Sequence, residues 1–236
     1  MVRRVGDNSR MLVVGVDRSG AEHYRVPLPH GADPAAVSHD LGWVAEQPLA
    51  ARRDGDGELV LWFVVRPVSG DRRPSQRPPG RDTGLVVAPD EVPTVRQRVA
   101  AYAIVLSDRG VLATQYSDKT AVDGRWGMPG GGIDGAEEPV ATVVREVHEE
   151  TAQTVELGDL VAVQTSHWVG RSPIGQVEDF HAVRLIYRGT CPSPGDPVVL
   201  DVGGTTADAR WIPVDAWRSV TWTVNWRDAL EQLLPR

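Results

Sequence analysis

Apolar and polar positions fall in short alternating runs along the first third of the chain, bounded by turn residues. RMLVVGV and EHYRVPLP read as strands with Arg18-Ser19-Gly20 between them, which predicts a hairpin. Asp33-Pro34 is a helix start and Gly42 a stop, framing AAVSHDL. PLAARR and LVLWFVV flank Asp54-Gly55-Asp56-Gly57, a second predicted hairpin. The order of this part is therefore ββαββ, a small α+β module. Further along, VAAYAIVL and VLATQY are strands around Ser107-Asp108-Arg109-Gly110. Pro139 suits the first turn of a helix, where its missing N–H costs nothing, and Val140, Val143, Val144 and Val147 then recur at helical spacing as one buried stripe. Strands follow near LVAVQTSHW and FHAVRLIYR, then ARWIPVDAW. A last helix begins at Asn225 as N-cap, with Trp226, Ala229, Leu230 and Leu233 as its apolar stripe.

The chain divides at residues 69–95, where SGDRRPSQRPPGRDTG is rich in proline, arginine, serine and glycine and has little to bury. This predicts a linker between a module over residues 1–68 and a larger domain over 96–236. Arg72, Arg73, Arg77 and Arg81 read as solvated linker charges more readily than as a contact for an anionic partner.

With 25 basic and 32 acidic residues the net charge is −7, which gives no electrostatic footprint for general nucleic-acid binding. Cys191 is the single cysteine, so no intrachain disulfide framework exists. The basic start MVRRVGDNSR lacks the apolar run of a signal peptide, no stretch approaches membrane-spanning length, and the cytoplasm is the default location. His23, His30 and His39 show no ligand-like clustering in the module, and surface or packing roles are expected for them.

The chemistry gathers between Gly131 and Gln153. Glycines 130, 131 and 132 mark a tight loop that lets backbone approach a ligand closely. Glu146, Glu149 and Glu150 stand at i, i+3 and i+4 and share a helix face rotated roughly 120° from the valine stripe. Like charges so placed repel unless a hard, oxygen-preferring divalent cation turns repulsion into coordination. Arg145 lies off both clusters, within reach of Glu137, and would brace the loop against the helix.

The segment resembles the Nudix box, whose pattern is G, five residues, E, seven residues, R-E-U-x-E-E-x-G-U, with U a bulky apolar residue. Gly131, Glu137, Arg145, Glu146, Val147, Glu149 and Glu150 match it. Ala152 stands where the family has a glycine, and Gln153 where it has an apolar residue. A glycine there serves as a left-handed helix cap, so alanine costs about 1 kcal/mol or shifts the helix end.

The resemblance covers about residues 96–236. It implies an α/β fold, a Nudix-type α/β/α sandwich with a mixed sheet. It also implies hydrolysis of the pyrophosphate bond in a nucleoside diphosphate linked to another moiety, with nucleoside triphosphate-like and ADP-ribose-like substrates ranked level. Magnesium or manganese is the implied cofactor. Glu149 and Glu150 would be the principal metal ligands, Glu146 a ligand or the general base, and Glu137 an accessory ligand partnered by Arg145. Backbone of Gly130 and Gly131 would also face the metal. A downstream loop is an alternative source of the base, with Glu178 and Asp179 as candidates.

Outside the box, Arg125, Trp126, His167, Trp168, Arg171 and His181 are candidates for the mouth of the site, arginine pairing with phosphate and an aromatic stacking on a base. Two alternatives stay open: a non-catalytic nucleotide-sensing module, or an active hydrolase tethered through the N-terminal module. Homodimerisation is common in similar proteins and does not follow from these residues.

Overall fold

The computed structural model describes residues 11–74, 76, 78–172 and 174–234. The expectations that rest on MVRRVGDNSR and on Arg77 lie outside the described residues. The chain forms two compact units. The first runs through Ala100 and includes Ala162–Leu185; the second comprises Ala101–Val161 and Ile186–Arg236.

In the first unit, β1 (Met11–Val16) and β2 (Glu22–Pro27) form the predicted hairpin, α1 (Pro34–Asp40) follows, and β3 (Trp43–Arg53) pairs antiparallel with β4 (Leu59–Pro67). Sequence dictates which strands are central. MLVVGV and LVLWFVV are almost continuously apolar and bury nearly every residue, as interior strands must. EHYRVP, exposed at alternate positions, lies at an edge. The order is β2-β1-β4-β3, with β1 and β4 parallel and Val13 opposite Leu61. Asp33 caps α1 by accepting from the Ala35 and Ala36 amides at 2.9 and 3.3 Å.

The Pro/Arg-rich segment is tied down within this unit. Arg66 grips Asp71 with two bonds of 2.9 and 2.8 Å, and Arg73 grips Asp40 with two of 2.6 and 2.7 Å. A short β5 (Gly80–Arg81) adds in parallel to β10 (Glu156–Arg171), Gly80 opposite Trp168.

In the second unit, β6 (Thr94–Ser107) from Ala101 onward turns into β7 (Gly110–Tyr116), Ser107 pairing with Gly110 across Asp108-Arg109. Two short strands follow, β8 (Trp126–Gly127) on β7 and β9 (Gly130–Gly132) on β6. After α2 (Pro139–Thr151) this unit holds β10 through Val161 and β11 (Val177–Thr190) from Ile186 onward. Then β12 (Thr206–Ile212) pairs antiparallel with β7, and α3 (Val224–Leu233) closes the chain. The larger sheet has the order β12-β7-β6-β11-β10-β5 and mixes parallel and antiparallel neighbours, as the α/β expectation requires.

Two local expectations need correction. Val143 and Val147 are fully buried, whereas Val140 and Val144 are 45% and 43% exposed. The buried stripe is instead Pro139, Thr142, Val143, Val147, Glu150 and Thr151, a seven-residue rhythm that carries Glu150 onto the core side of α2. Helix α3 starts one residue before Asn225, with Thr223 as N-cap, because the Arg227 amide bonds the Thr223 carbonyl and so closes the first turn there. No described helix is long and apolar enough to cross a membrane.

Candidate functional site

The loop from Trp126 to Gly132 is built for close approach. Gly130 has φ +141°, and a β-carbon there would strike the Ala101 carbonyl and the Tyr102 backbone. Its amide is thereby free to donate to Glu150 Oε2 at 2.9 Å. Gly131 lies against the Glu146 carboxylate, where a β-carbon would sit 2.5 Å from it.

Helix α2 supplies the charges. Glu150 is 8% exposed, and Thr206 donates its hydroxyl to Oε1. Burial pushes the Glu150 carboxyl up to about 7, against the opposing pull of Thr206 and Gly130. Burial also raises Glu146, despite the Arg145 guanidinium beside it. Arg145 holds Glu137 with two bonds of 3.0 Å, and one guanidinium nitrogen reaches both Glu146 at 2.9 Å and Glu149 at 3.0 Å. The Arg145 bonds hold the Glu137 carboxyl down to about 2. The brace expected between Arg145 and Glu137 is thus present, and it extends to two of the three helix glutamates.

Ala152 is left-handed, with φ +56°, and its amide bonds the His148 carbonyl at 2.8 Å. The helix therefore ends where a glycine would end it, at the steric cost of a β-carbon. Gln153, in the usual apolar position, is 4% exposed, yet its side chain donates to the Thr151 carbonyl at 3.2 Å and accepts the Gly195 amide at 2.9 Å. A buried amide so satisfied costs little.

A hard divalent cation suits the oxygen donors of α2, since Glu146 and Glu150 are carboxylates whose ionised forms burial opposes. The three glutamates do not converge as tightly as one other group does. Among the described residues, His30, His167 and Asp179 have ligand atoms all within 4.8 Å of one another.

Of the expected substrate contacts, Arg125 and Trp126 belong to the second unit. Arg125 is exposed, while Trp126 is 9% exposed with the Arg210 guanidinium 5.4 Å above its ring, so one face is already covered. His167 and Arg171 belong to the first unit. Arg171 is spent on Glu91, at 3.0 and 3.1 Å, and on the Val86 carbonyl at 2.8 Å. Trp168 stacks on Phe180 with ring centroids 4.5 Å apart. Of the two downstream base candidates, Glu178 is buried and ion-paired with Arg96 at 3.2 Å, and Asp179 accepts from two histidines. Sequence reasoning missed Thr206, which carries no motif, and the grouping of His30 with His167.

The family model of the NUDIX domain matches residues 96–232. An RNA pyrophosphohydrolase from Roseobacter denitrificans is 31% identical over 84 residues, 35% of this chain and 51% of that protein. The chain thus spans about half the length of the curated relative it matches. Among solved structures, the MutT NUDIX hydrolase from Burkholderia pseudomallei is 24% identical with a TM-score of 0.41, over 58% of this chain and 98% of that one. The NUDIX domain of Shewanella oneidensis NrtR complexed with ADP ribose is 23% identical with a TM-score of 0.41, over 60% and 86%.

Proposed function

The chain belongs to the Nudix family, and from this we propose that it hydrolyses the pyrophosphate bond of a nucleoside diphosphate linked to another moiety, with a triphosphate-like or ADP-ribose-like compound as substrate. The observation that carries the reading is the Glu150 carboxylate. It is buried, anchored by the Gly130 amide and the Thr206 hydroxyl, and without a cation its charge is opposed strongly enough to raise its pKa to about 7. A side chain placed at that energetic disadvantage is explained by a positive ligand.

Glu149 and Glu150 would hold magnesium or manganese as principal ligands, with Glu146 beside them and Glu137 and the Gly131 backbone as accessories. When bound, such an ion neutralises pyrophosphate oxygens and lowers the pKa of water. Arg145 keeps Glu137, Glu146 and Glu149 in fixed register and offsets their mutual repulsion. Glu146, with its carboxyl raised by burial, is suited to accept a proton at a carboxylate oxygen. Gly130 and Gly131 keep the loop close enough for the phosphate chain to reach these groups.

The test is release of phosphate or nucleoside monophosphate from a panel of nucleoside diphosphate derivatives, with magnesium and with manganese. Glu149→Gln and Glu150→Gln run alongside. One substrate class turning over, with a loss on the order of 10²-fold or more in each variant, supports the reading. Nucleotide binding without turnover across the panel would sink it in favour of a sensing module.

A further inference from the structure

Three side chains far apart in sequence meet in the first unit. Asp179 Oδ1 accepts from His30 Nε2 at 2.9 Å and from His167 Nε2 at 2.5 Å. His30 stands in the turn after β2, His167 on β10 and Asp179 on β11. The turn is shaped for the meeting: Gly31 has φ +73°, and a β-carbon there would enter the His167 imidazole. The three side chains are 26%, 18% and 29% exposed, so the group is half-buried and open on one side.

A fourth nitrogen lies beside them. His181 stands two residues after Asp179 on the same face of β11, and is fully buried. Its ring centre is 5.5 Å from that of His30 and 6.2 Å from that of His167. Nδ1 pairs with the Gln97 amide nitrogen at 2.8 Å, and a backbone hydrogen bond ties the ring to Ala32. Two imidazole nitrogens therefore converge on one carboxylate oxygen beside a third, buried ring, with the ligand atoms of His30, His167 and Asp179 all within 4.8 Å of one another.

We propose that His30 Nε2, His167 Nε2 and Asp179 bind a first-row transition-metal ion of the zinc class, separate from the hard-cation site of the α2 glutamates. Two imidazoles and one carboxylate favour zinc, cobalt or nickel over magnesium, which keeps to oxygen donors and water. A tetrahedral ion with bonds of about 2.0 Å needs its donors about 3.3 Å apart. The observed separations of 2.5 and 2.9 Å reach that by side-chain rotations that open each by less than about 1 Å. Three protein ligands leave a coordination position for water on the open side. The ion would fasten the turn after β2 to strands β10 and β11.

The full chain, stripped of metal with a chelator, is titrated with cobalt as the probe. One equivalent should give a visible absorption band, which zinc abolishes and excess magnesium leaves unchanged. His167→Ala and Asp179→Ala should weaken cobalt binding by at least about 10-fold, the floor set by losses at outer-shell positions. The Glu149→Gln/Glu150→Gln double variant should keep the band, so loss of hydrolysis there does not touch this result. Nitrogen NMR on the unmodified protein covers the case of a variant that misfolds: zinc should shift the Nε2 signals of His30 and His167. A band that survives in both histidine-site variants, or imidazole signals unmoved at saturating zinc, overturns the site.

Discussion

Gly131 and Glu146 are packed so tightly that a β-carbon on residue 131 would lie 2.5 Å from the Glu146 carboxyl group. The obstacle is the end of a side chain rather than backbone, so Gly131→Ala should fold and displace the carboxylate instead. A misplacement on the order of 1 Å costs as much as 10²-fold in rate. Gly131→Ala should therefore lower kcat by about 10- to 100-fold while the thermal midpoint stays within a few degrees. A midpoint collapse would show that the glycine serves folding instead.

Ala152 takes a left-handed conformation that a β-carbon opposes. Ala152→Gly should stabilise the protein by about 1 kcal/mol, or about 2–4 °C in midpoint for a chain of this size. Urea denaturation measures it. A loss of stability would mean that the extra freedom of glycine in the unfolded chain outweighs the relief.

Glu137 shows a pH dependence with a definite sign. Its folded carboxyl is held down to about 2 by Arg145, against an ordinary value of 4.5. The stability it contributes is fully present above about 4.5 and is lost as pH falls through about 2. The unmodified protein and Glu137→Gln should differ by a constant amount at neutral pH and converge in acid. Denaturant midpoints across that range test this, and a gap that persists at pH 2 would contradict it.

Glu150 has the opposite sign. Its folded carboxyl is raised by burial to about 7, so between about 4.5 and 7 the folded chain holds a proton that the unfolded chain has released. Stability of the metal-free protein should fall as pH rises across that window. Glu150→Gln should remove the slope and be the more stable protein at pH 8, although the less active one. Equal slopes in both would show that the carboxylate is compensated without an ion.

The acidic helix was legible because its chemistry is local: Gly131, Glu137, Arg145 and the glutamates keep fixed offsets along one loop and one helix. The N-terminal ββαββ order was legible for a similar reason, with turn residues separating alternating from continuous apolar runs. Burial around α2 was not. Val140 and Val143 share a helical rhythm, and only the sheet contacts select the turn of the helix that includes Val143 and Glu150. Nor was the histidine group, because His30, in the turn after β2, and His167, on β10, are brought together from far apart in the chain. One trace did exist: Asp179 and His181 alternate on β11, which puts both on one face.

The parallel pairing of β1 with β4 has a kinetic consequence. Each strand has an antiparallel partner next to it in the chain, so the β1–β2 and β3–β4 hairpins can close early, on the microsecond scale of such turns. Joining them through Val13 and Leu61 requires a much longer loop to close first, and long-range contacts of that kind slow folding. Substitutions at that seam, and in the hairpins that close before it, should therefore slow refolding.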